Sequence, residues 1–233
     1  MRISAEDIGY SYRKKGRSIR VLETVSFAPK AGELTVITGR SGSGKTTLLN
    51  VLAGLLIPED GRVMYDGRDI CRADDGELSA FRNVNIGYIP QGHSALANLT
   101  LLQNILLPAA LAGEDRTDTA LELLQAVGLE KLKNAYPDEL SGGELRRLAA
   151  ARALINSPTV IFADEPTNDL DDENAAVILS LLKARAKEGA AVIIVTHDNM
   201  VSGYAYKVYT MDGGRLSEKE NDHDDTLCRP LVS

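Results

Sequence analysis

Cysteine is nearly missing from this sequence: Cys71 and Cys228 are the only two in 233 residues. They stand far apart and without metal-binding spacing, so two free thiols in a reducing compartment are expected rather than a disulfide framework or a zinc site. No apolar run approaches the roughly 18 residues needed to cross a bilayer. The opening stretch MRISAEDIGYSYRKKGRS holds no apolar segment of the kind found in a secretory signal. Basic charge is short as well. Lysine and arginine number 26 against 33 aspartates and glutamates, a formal net charge of −7, which argues against a general nucleic-acid binder. These absences point to a cytosolic protein, and 44% hydrophobic and 25% charged residues are those of an ordinary globular chain with one generous core.

The residues that are present fall into an α/β order. The first thirty alternate and end in VLETVSFAPKAGE, which reads as antiparallel strands closing on a turn at Lys30 to Gly32. LTVIT (Leu34 to Thr38) is a short, β-branched, apolar run, the pattern of a buried parallel strand. A glycine loop comes next, then KTTLLNVLAGLL, an apolar helix ending near Gly54. From Pro58 to Ile89, turn signals and short strands surround a polar segment, RADDGELSAFRN. The pattern turns helical from Gln91 to about Ser157, where TDTALELLQAVGLEKL repeats its apolar residues at helical spacing. TVIFADE (Thr159 to Glu165) and AAVIIVTH are two more buried strands flanking the helix ENAAVILSLLKARAKEG, and MDGGR signals a hairpin. The acidic, polar stretch 217–233 is expected to be a flexible tail. One domain over 1–233 is expected, its core interrupted by a helical subdomain at about 91–157.

GRSGSGKT carries the first chemical signal. Gly39, Arg40, Ser41, Gly42, Ser43 and Gly44 form a loop able to wrap a phosphate with backbone N–H groups, between a strand and a helix as that motif requires. Lys45 would reach the β- and γ-phosphates and the Thr46 hydroxyl would ligate Mg²⁺, with Thr47 completing the loop's nucleotide-contacting run. Asp164 and Glu165 sit at the carboxyl end of the TVIFADE strand, where open α/β sheets place ligands. Asp164 would hold the Mg²⁺ shell through water, and Glu165 would orient the attacking water and accept its proton. His197 ends the next strand at the same sheet edge, placed to contact a γ-phosphate. His93 and His223 have no such neighbours.

DELSGGELRRLAAARAL poses a second question, because its two glycines stand where a helix should begin. Ser141 and Glu144 have the spacing of a capping box. Gly142 and Gly143 each cost a helix roughly 1 kcal/mol, which makes sense if an anion must approach bare backbone. With the phosphate loop, Gln91 after IGYIP, LSGGE, TVIFADEPTNDLD and IIVTHD in this order and spacing, the chain resembles the ATP-binding subunits of ABC transporters, to about Leu216. DICRADDGELSAFRNVNIGYIPQ and ADEPTNDLD resemble most the subgroup of macrolide exporters, lipoprotein-release and cell-division ATPases.

The resemblance implies a P-loop NTPase (RecA-like) core with an antiparallel β subdomain and the inserted helical subdomain. It implies ATP and Mg²⁺ as ligands and an ATP hydrolase that pairs head to tail with a second copy of itself. Ser141, Gly142, Gly143 and Glu144 of one copy would then close over the γ-phosphate on the other, with Asp171 at the seam. Tyr12 matches the aromatic that stacks on adenine, with Tyr10 the alternative. Gln91 would touch Mg²⁺ and the water, joining the site to the helical subdomain. A separately encoded transmembrane permease would be the partner, placing the chain at the inner face of the cell membrane with no nucleic acid involved. Signalling across the membrane without transport, as in the cell-division relatives, is the alternative. His93 and Ala97 depart from the aromatic and proline usual in the subgroup, which bears on the membrane partner rather than on hydrolysis.

Overall fold

In the computed structural model of the protein, residues 1–14, 16–92 and 94–219 are described; His93, Cys228, His223 and most of the expected tail lie outside them. The alternating N-terminal segment forms two long antiparallel strands, β1 (Ile3–Lys14) and β2 (Arg17–Phe27). β3 (Leu34–Thr38) leads through the glycine loop to α1 (Lys45–Leu52). Next come β4 (Asp60–Tyr65), the short β5 (Arg68–Asp69), α2 (Asp75–Asn85) and β6 (Ile86–Ile89). The helices α3 (Leu101–Leu111), α4 (Thr117–Ala126) and α5 (Gly142–Leu154) are then laid down in turn. The chain returns through β7 (Val160–Asp164), α6 (Asp172–Lys187), β8 (Ala191–Thr196) and the hairpin β9 (Lys207–Asp212) and β10 (Arg215–Glu218).

Two sheets result among the described residues. One is antiparallel, in the order β2-β1-β4-β5; the other has the order β10-β9-β3-β8-β7-β6 and is parallel from β9 to β6. The period-2 pleat sorts the central strands between two cores. Leu34, Val36, Ile161, Ala163, Val192 and Ile194 face α5 and α6 with the helical lobe. Ile37, Val160, Phe162, Ile193 and Val195 face α1 and the antiparallel sheet. A parallel sheet covered on both faces needs such near-continuous apolar strands.

Three local readings of the sequence change. RADDGELSAFRN, read only as a polar segment among short strands, holds most of the helix α2: Asp74 accepts the Glu77 N–H at 2.9 Å as an N-cap, and Leu78 and Phe81 turn one face toward the core. Within the lobe, α4 stops at Ala126 because Gly128 takes φ +69, so GLEKL is a separate short 3₁₀ turn. The last strand runs to Glu218, two residues into the stretch read as tail. Glu218 is held there by Lys207 at 2.6 Å and by the Tyr209 hydroxyl at 3.2 Å.

Residues 91–92 and 94–100 are not helical; they are irregular, and the stretch 96–100 is tied to α3. Asn104, fully buried on α3, does the tying. Its amide nitrogen reaches the carbonyls of Leu96, Leu99 and Thr100 at 2.9–3.1 Å, and its oxygen accepts the Leu96 N–H at 2.8 Å. Removing that side chain strands buried backbone groups, so Asn104→Ala is expected to lose about 2–3 kcal/mol of stability in urea unfolding. A loss below about 0.5 kcal/mol, the scale of an ordinary surface change, would show that the loop holds its own shape.

Candidate active site

The glycine loop leaves β3 at Thr38 and folds over the start of α1. A Cβ on Gly39 would collide with the Met211 carbonyl, so only glycine lets the loop pass β9 so closely. Gly44, the residue before α1, takes φ +108, and a Cβ there would come within 2.9 Å of the Val21 carbonyl. No side chain caps α1, so its first N–H groups and the positive end of its dipole face the loop's concavity. Lys45, buried at the helix start, donates to the loop's own carbonyls, Gly39 at 2.7 Å and Arg40 at 3.1 Å.

This concavity opens into a cleft of about 590 Å³. Besides the loop, Thr46 and Thr47, it is lined by Tyr12, Val21, Gln91, Asp164, Glu165 and His197. The parallel sheet brings the loop, Gln91, Asp164, Glu165 and His197 together from four strand ends, and the antiparallel β1 and β2 supply Tyr12 and Val21. Of the loop residues, Gly39 and Ser43 do not line the cleft. Tyr12 and Tyr10 meet edge to face with ring centroids 5.0 Å apart, but Tyr12 lines the cleft, with its hydroxyl 3.5 Å from that of Thr47, while Tyr10 packs on the antiparallel core.

The two acids differ sharply in their surroundings. Glu165 takes φ +48 and its N–H donates to the Val195 carbonyl, which turns the side chain along the sheet edge. Both of its oxygens are occupied: one accepts the Thr196 hydroxyl at 2.9 Å and the His197 N–H at 3.3 Å, the other meets His197 Nδ1 at 2.9 Å. An ionised carboxylate only accepts, so Nδ1 carries the proton of this contact. His197 can then offer Nε2–H to another anion only as the imidazolium. Asp164, by contrast, keeps Oδ1 buried and without a partner among the described residues, as does the Ser43 hydroxyl. Burial pushes the Asp164 carboxyl above its ordinary range; the Thr46 hydroxyl pulls it down, Glu165 adds to the rise, and Lys45 and Arg146 oppose it.

A bare buried carboxylate oxygen, a threonine hydroxyl and the Gln91 amide make an all-oxygen donor set, which suits Mg²⁺ completed by phosphate oxygens and water. The residues fit that ion.

Ser141, Gly142, Gly143, Glu144 and Asp171 do not join this cleft. Ser141 and Glu144 form a full capping box on α5: Ser141 N–H donates to Glu144 at 2.8 Å, and Glu144 N–H donates to the Ser141 hydroxyl at 3.3 Å. Hydrogen bonds from the Ser141 hydroxyl and N–H hold the Glu144 carboxyl below its usual range, with Arg147 contributing less. Asp171 caps α6 by accepting the Asn174 N–H at 2.8 Å. The two caps adjoin, since a Cβ on Gly143 would lie 3.4 Å from Leu170 and 3.9 Å from the Asn174 amide. They form a second, separate surface. Sequence reasoning missed Val21 and Thr196 at the cleft; Thr196 stood in the quoted IIVTHD, whereas Val21 gave no signal.

The family model described as ABC transporter matches residues 22–168. A lipoprotein-releasing system ATP-binding protein, LolD, of Chromohalobacter salexigens is 40% identical over 93% of this chain and 93% of its own. The ABC transporter ATP-binding protein YtrE of Bacillus subtilis is 38% identical over 90% of this chain and 94% of its own. Among solved structures, a dimeric ATP-binding cassette in a post-hydrolysis state with ADP and Pi superposes with a TM-score of 0.87 at 34% identity, covering 93% of this chain and 97% of that one.

The position of the two tyrosines makes a direct test. Tyr12→Ala is expected to weaken ATP binding by about 1–3 kcal/mol, the range for a lost base–aromatic stack, as read by isothermal titration. Tyr10→Ala should leave affinity almost unchanged while lowering the melting temperature. The reverse pattern would move the adenine contact to Tyr10.

Proposed function

The chain belongs to the ABC transporter ATP-binding family and hydrolyses ATP, and on that premise we propose that two copies close around two ATP molecules to drive a separate membrane protein. The observation that carries this reading is the division of the functional groups between two surfaces of one chain. The cleft holds a phosphate loop, a metal-ligand set and a base. The glycines of α5 and Asp171 lie outside it, on caps that adjoin one another. Each surface is half of a site that two antiparallel copies would complete.

In this reading Tyr12 stacks on adenine, and the loop N–H groups with the start of α1 hold the phosphates. Lys45 exchanges the neutral carbonyls of Gly39 and Arg40 for anionic phosphate oxygens, so that both partners of the contact are charged. Thr46, Gln91 and Asp164 would hold Mg²⁺, which when bound draws charge from the phosphate oxygens. Glu165, oriented by Thr196 and His197, positions a water and takes its proton. The water oxygen bonds to the γ-phosphorus as the bond to the β–γ bridging oxygen breaks, and ADP leaves with that electron pair. His197 as imidazolium spans Glu165 and the γ-phosphate. Ser141, Gly142 and Gly143 of the other copy close over that phosphate from the opposite side, with Asp171 at the seam.

No helix among the described residues is long and apolar enough to cross a membrane, and in this reading the work is delivered to another chain. Relatives named for lipoprotein release support a permease that extrudes lipid, lipoprotein or peptide, with this chain docked on its inner face.

Glu165→Gln is expected to cut turnover by about 10²–10⁴-fold, the worth of a positioned general base, while ATP binding stays intact. Without the carboxylate's repulsion of the γ-phosphate, Mg-ATP should hold the variant as a dimer in size-exclusion chromatography. Turnover near the wild-type rate would remove Glu165 from the mechanism.

The shared site has its own test. Ser141→Arg should bind nucleotide but not hydrolyse it, because the cation blocks the partner's γ-phosphate; Lys45→Ala should fail to bind. Mixed, the two inactive proteins form some heterodimers with one intact site, built from the loop of the Ser141→Arg chain and the α5 start of the Lys45→Ala chain. Activity should partly return on mixing. Full activity in Ser141→Arg alone would reduce the glycines to a helix cap.

A further inference from the structure

Arg146 sits on α5 five residues beyond Ser141 and is only 4% exposed. It makes no ion pair among the described residues. A buried cation without a carboxylate is costly to keep, and an apolar side chain of similar length would fill the same space without that cost. Its one polar engagement is specific. The guanidinium donates to the carbonyl of Pro90 at 3.0 Å and to that of Gly92 at 3.2 Å, the two residues flanking Gln91.

Among the described residues, no other side chain donates to the carbonyls of Pro90 and Gly92. Pro90 has no N–H to give, and the Gln91 side chain projects into the cleft and is exposed. Further along α5, Arg152 reaches the same loop, donating to the Ser94 carbonyl at 2.8 Å and its hydroxyl at 2.5 Å. Two arginines of one helix therefore hold three carbonyls of the segment that carries Gln91. Asp169, Asp164 and Glu165 all lie close enough for their charges to act on Arg146, although burial is the larger influence on it.

We propose that Arg146 is a positioning residue for hydrolysis: one guanidinium nitrogen, donating to the carbonyls on both sides of Gln91, fixes Gln91 against Asp164 and Glu165 and makes the Gln91 loop move as one body with α5. This rests on the role given to Gln91 above and extends it. Ser141 and Arg146 are about one and a half helical turns apart, roughly 7 Å along the axis. Movement of the α5 start against a partner's phosphate would thus be delivered to Gln91 through a rigid rod rather than through a flexible loop.

A double-mutant cycle in turnover, with nucleotide affinity measured in parallel, separates positioning from simple packing. R146M is expected to lower kcat by about 10- to 100-fold, the scale of a displaced catalytic group. ATP affinity should stay within about twofold of wild type, because the phosphate loop and Tyr12 are untouched. R146K, which keeps one cationic donor, should recover part of the rate. In the cycle, R146M should cost nothing further in a Q91A background, because the residue it serves is already gone. Independent losses that multiply in Q91A/R146M would overturn the proposal, as would an R146M rate within about twofold of wild type. If R146M does not fold, R146Q and R146K carry the same cycle. Wild-type turnover in Q91A alone would instead overturn the reading of Gln91, and this proposal with it.

Discussion

Parallel pairing in a single register is the constraint on which the active site depends. Thr38 at the end of β3 pairs with Thr196 at the end of β8, Asp164 at the end of β7 pairs with Val195, and Ile89 at the end of β6 pairs with Ala163. Four strands therefore stop at nearly one level, and each runs straight into a site element: the glycine loop, His197, Glu165 and Gln91. The strand order β3-β8-β7-β6 puts β8 between the phosphate loop and the acids, which is why Thr196 and His197 can hold Glu165 from the neighbouring strand. A slip by one residue would exchange every side chain between the two faces. Both faces are buried against different partners, so the slip is opposed along the whole length of β3, β7 and β8.

Charge is then managed residue by residue within that frame. Lys45 is satisfied by carbonyls of its own loop, and Glu165 is satisfied at both oxygens. Asp164 is not: burial raises it, and one of its oxygens has no donor among the described residues. Leaving a buried polar group unpaired costs about 1–3 kcal/mol, a cost that a bound cation would reverse. In the proposed reading, the acid that is completely hydrogen-bonded takes the water's proton and the acid that is not takes the metal. Adjacent carboxylates at one strand end thus take different roles from their surroundings alone.

Much of this was legible in the sequence because strong local signals coincide with the sheet's logic. LTVIT, TVIFAD and AVIIVT are apolar without interruption, and each runs directly into the residues that line the cleft. α2 was not legible, since RADDGELSAFRN reads only as a polar segment, and the helix rests on the Asp74 cap and on the packing of Leu78 and Phe81. The loop from Gln91 to Thr100 reads as helical because nothing in its composition announces the buried Asn104 that shapes it. Arg146 gave no signal either. In a basic stretch an arginine reads as solvated, and only the path of the Gln91 loop over α5 makes it a buried donor. Tertiary contacts between distant segments are what the pattern of a single segment cannot carry.

The start of α5 shows why a helix cap and a phosphate contact are not competing accounts of LSGGE. A helix opens with N–H groups that have no partner inside it. The capping box uses two of them, those of Ser141 and Glu144, and each receives a side-chain oxygen from the other residue. The N–H groups of Gly142 and Gly143 are left over, side by side, at the positive end of the dipole. A side chain at Gly143 would touch Leu170 in the segment leading to Asp171, at 3.4 Å. The serine and glutamate make the helix begin here despite the helix cost of two glycines. The glycines leave its first free donors uncovered, as the proposed contact with a second copy's phosphate requires.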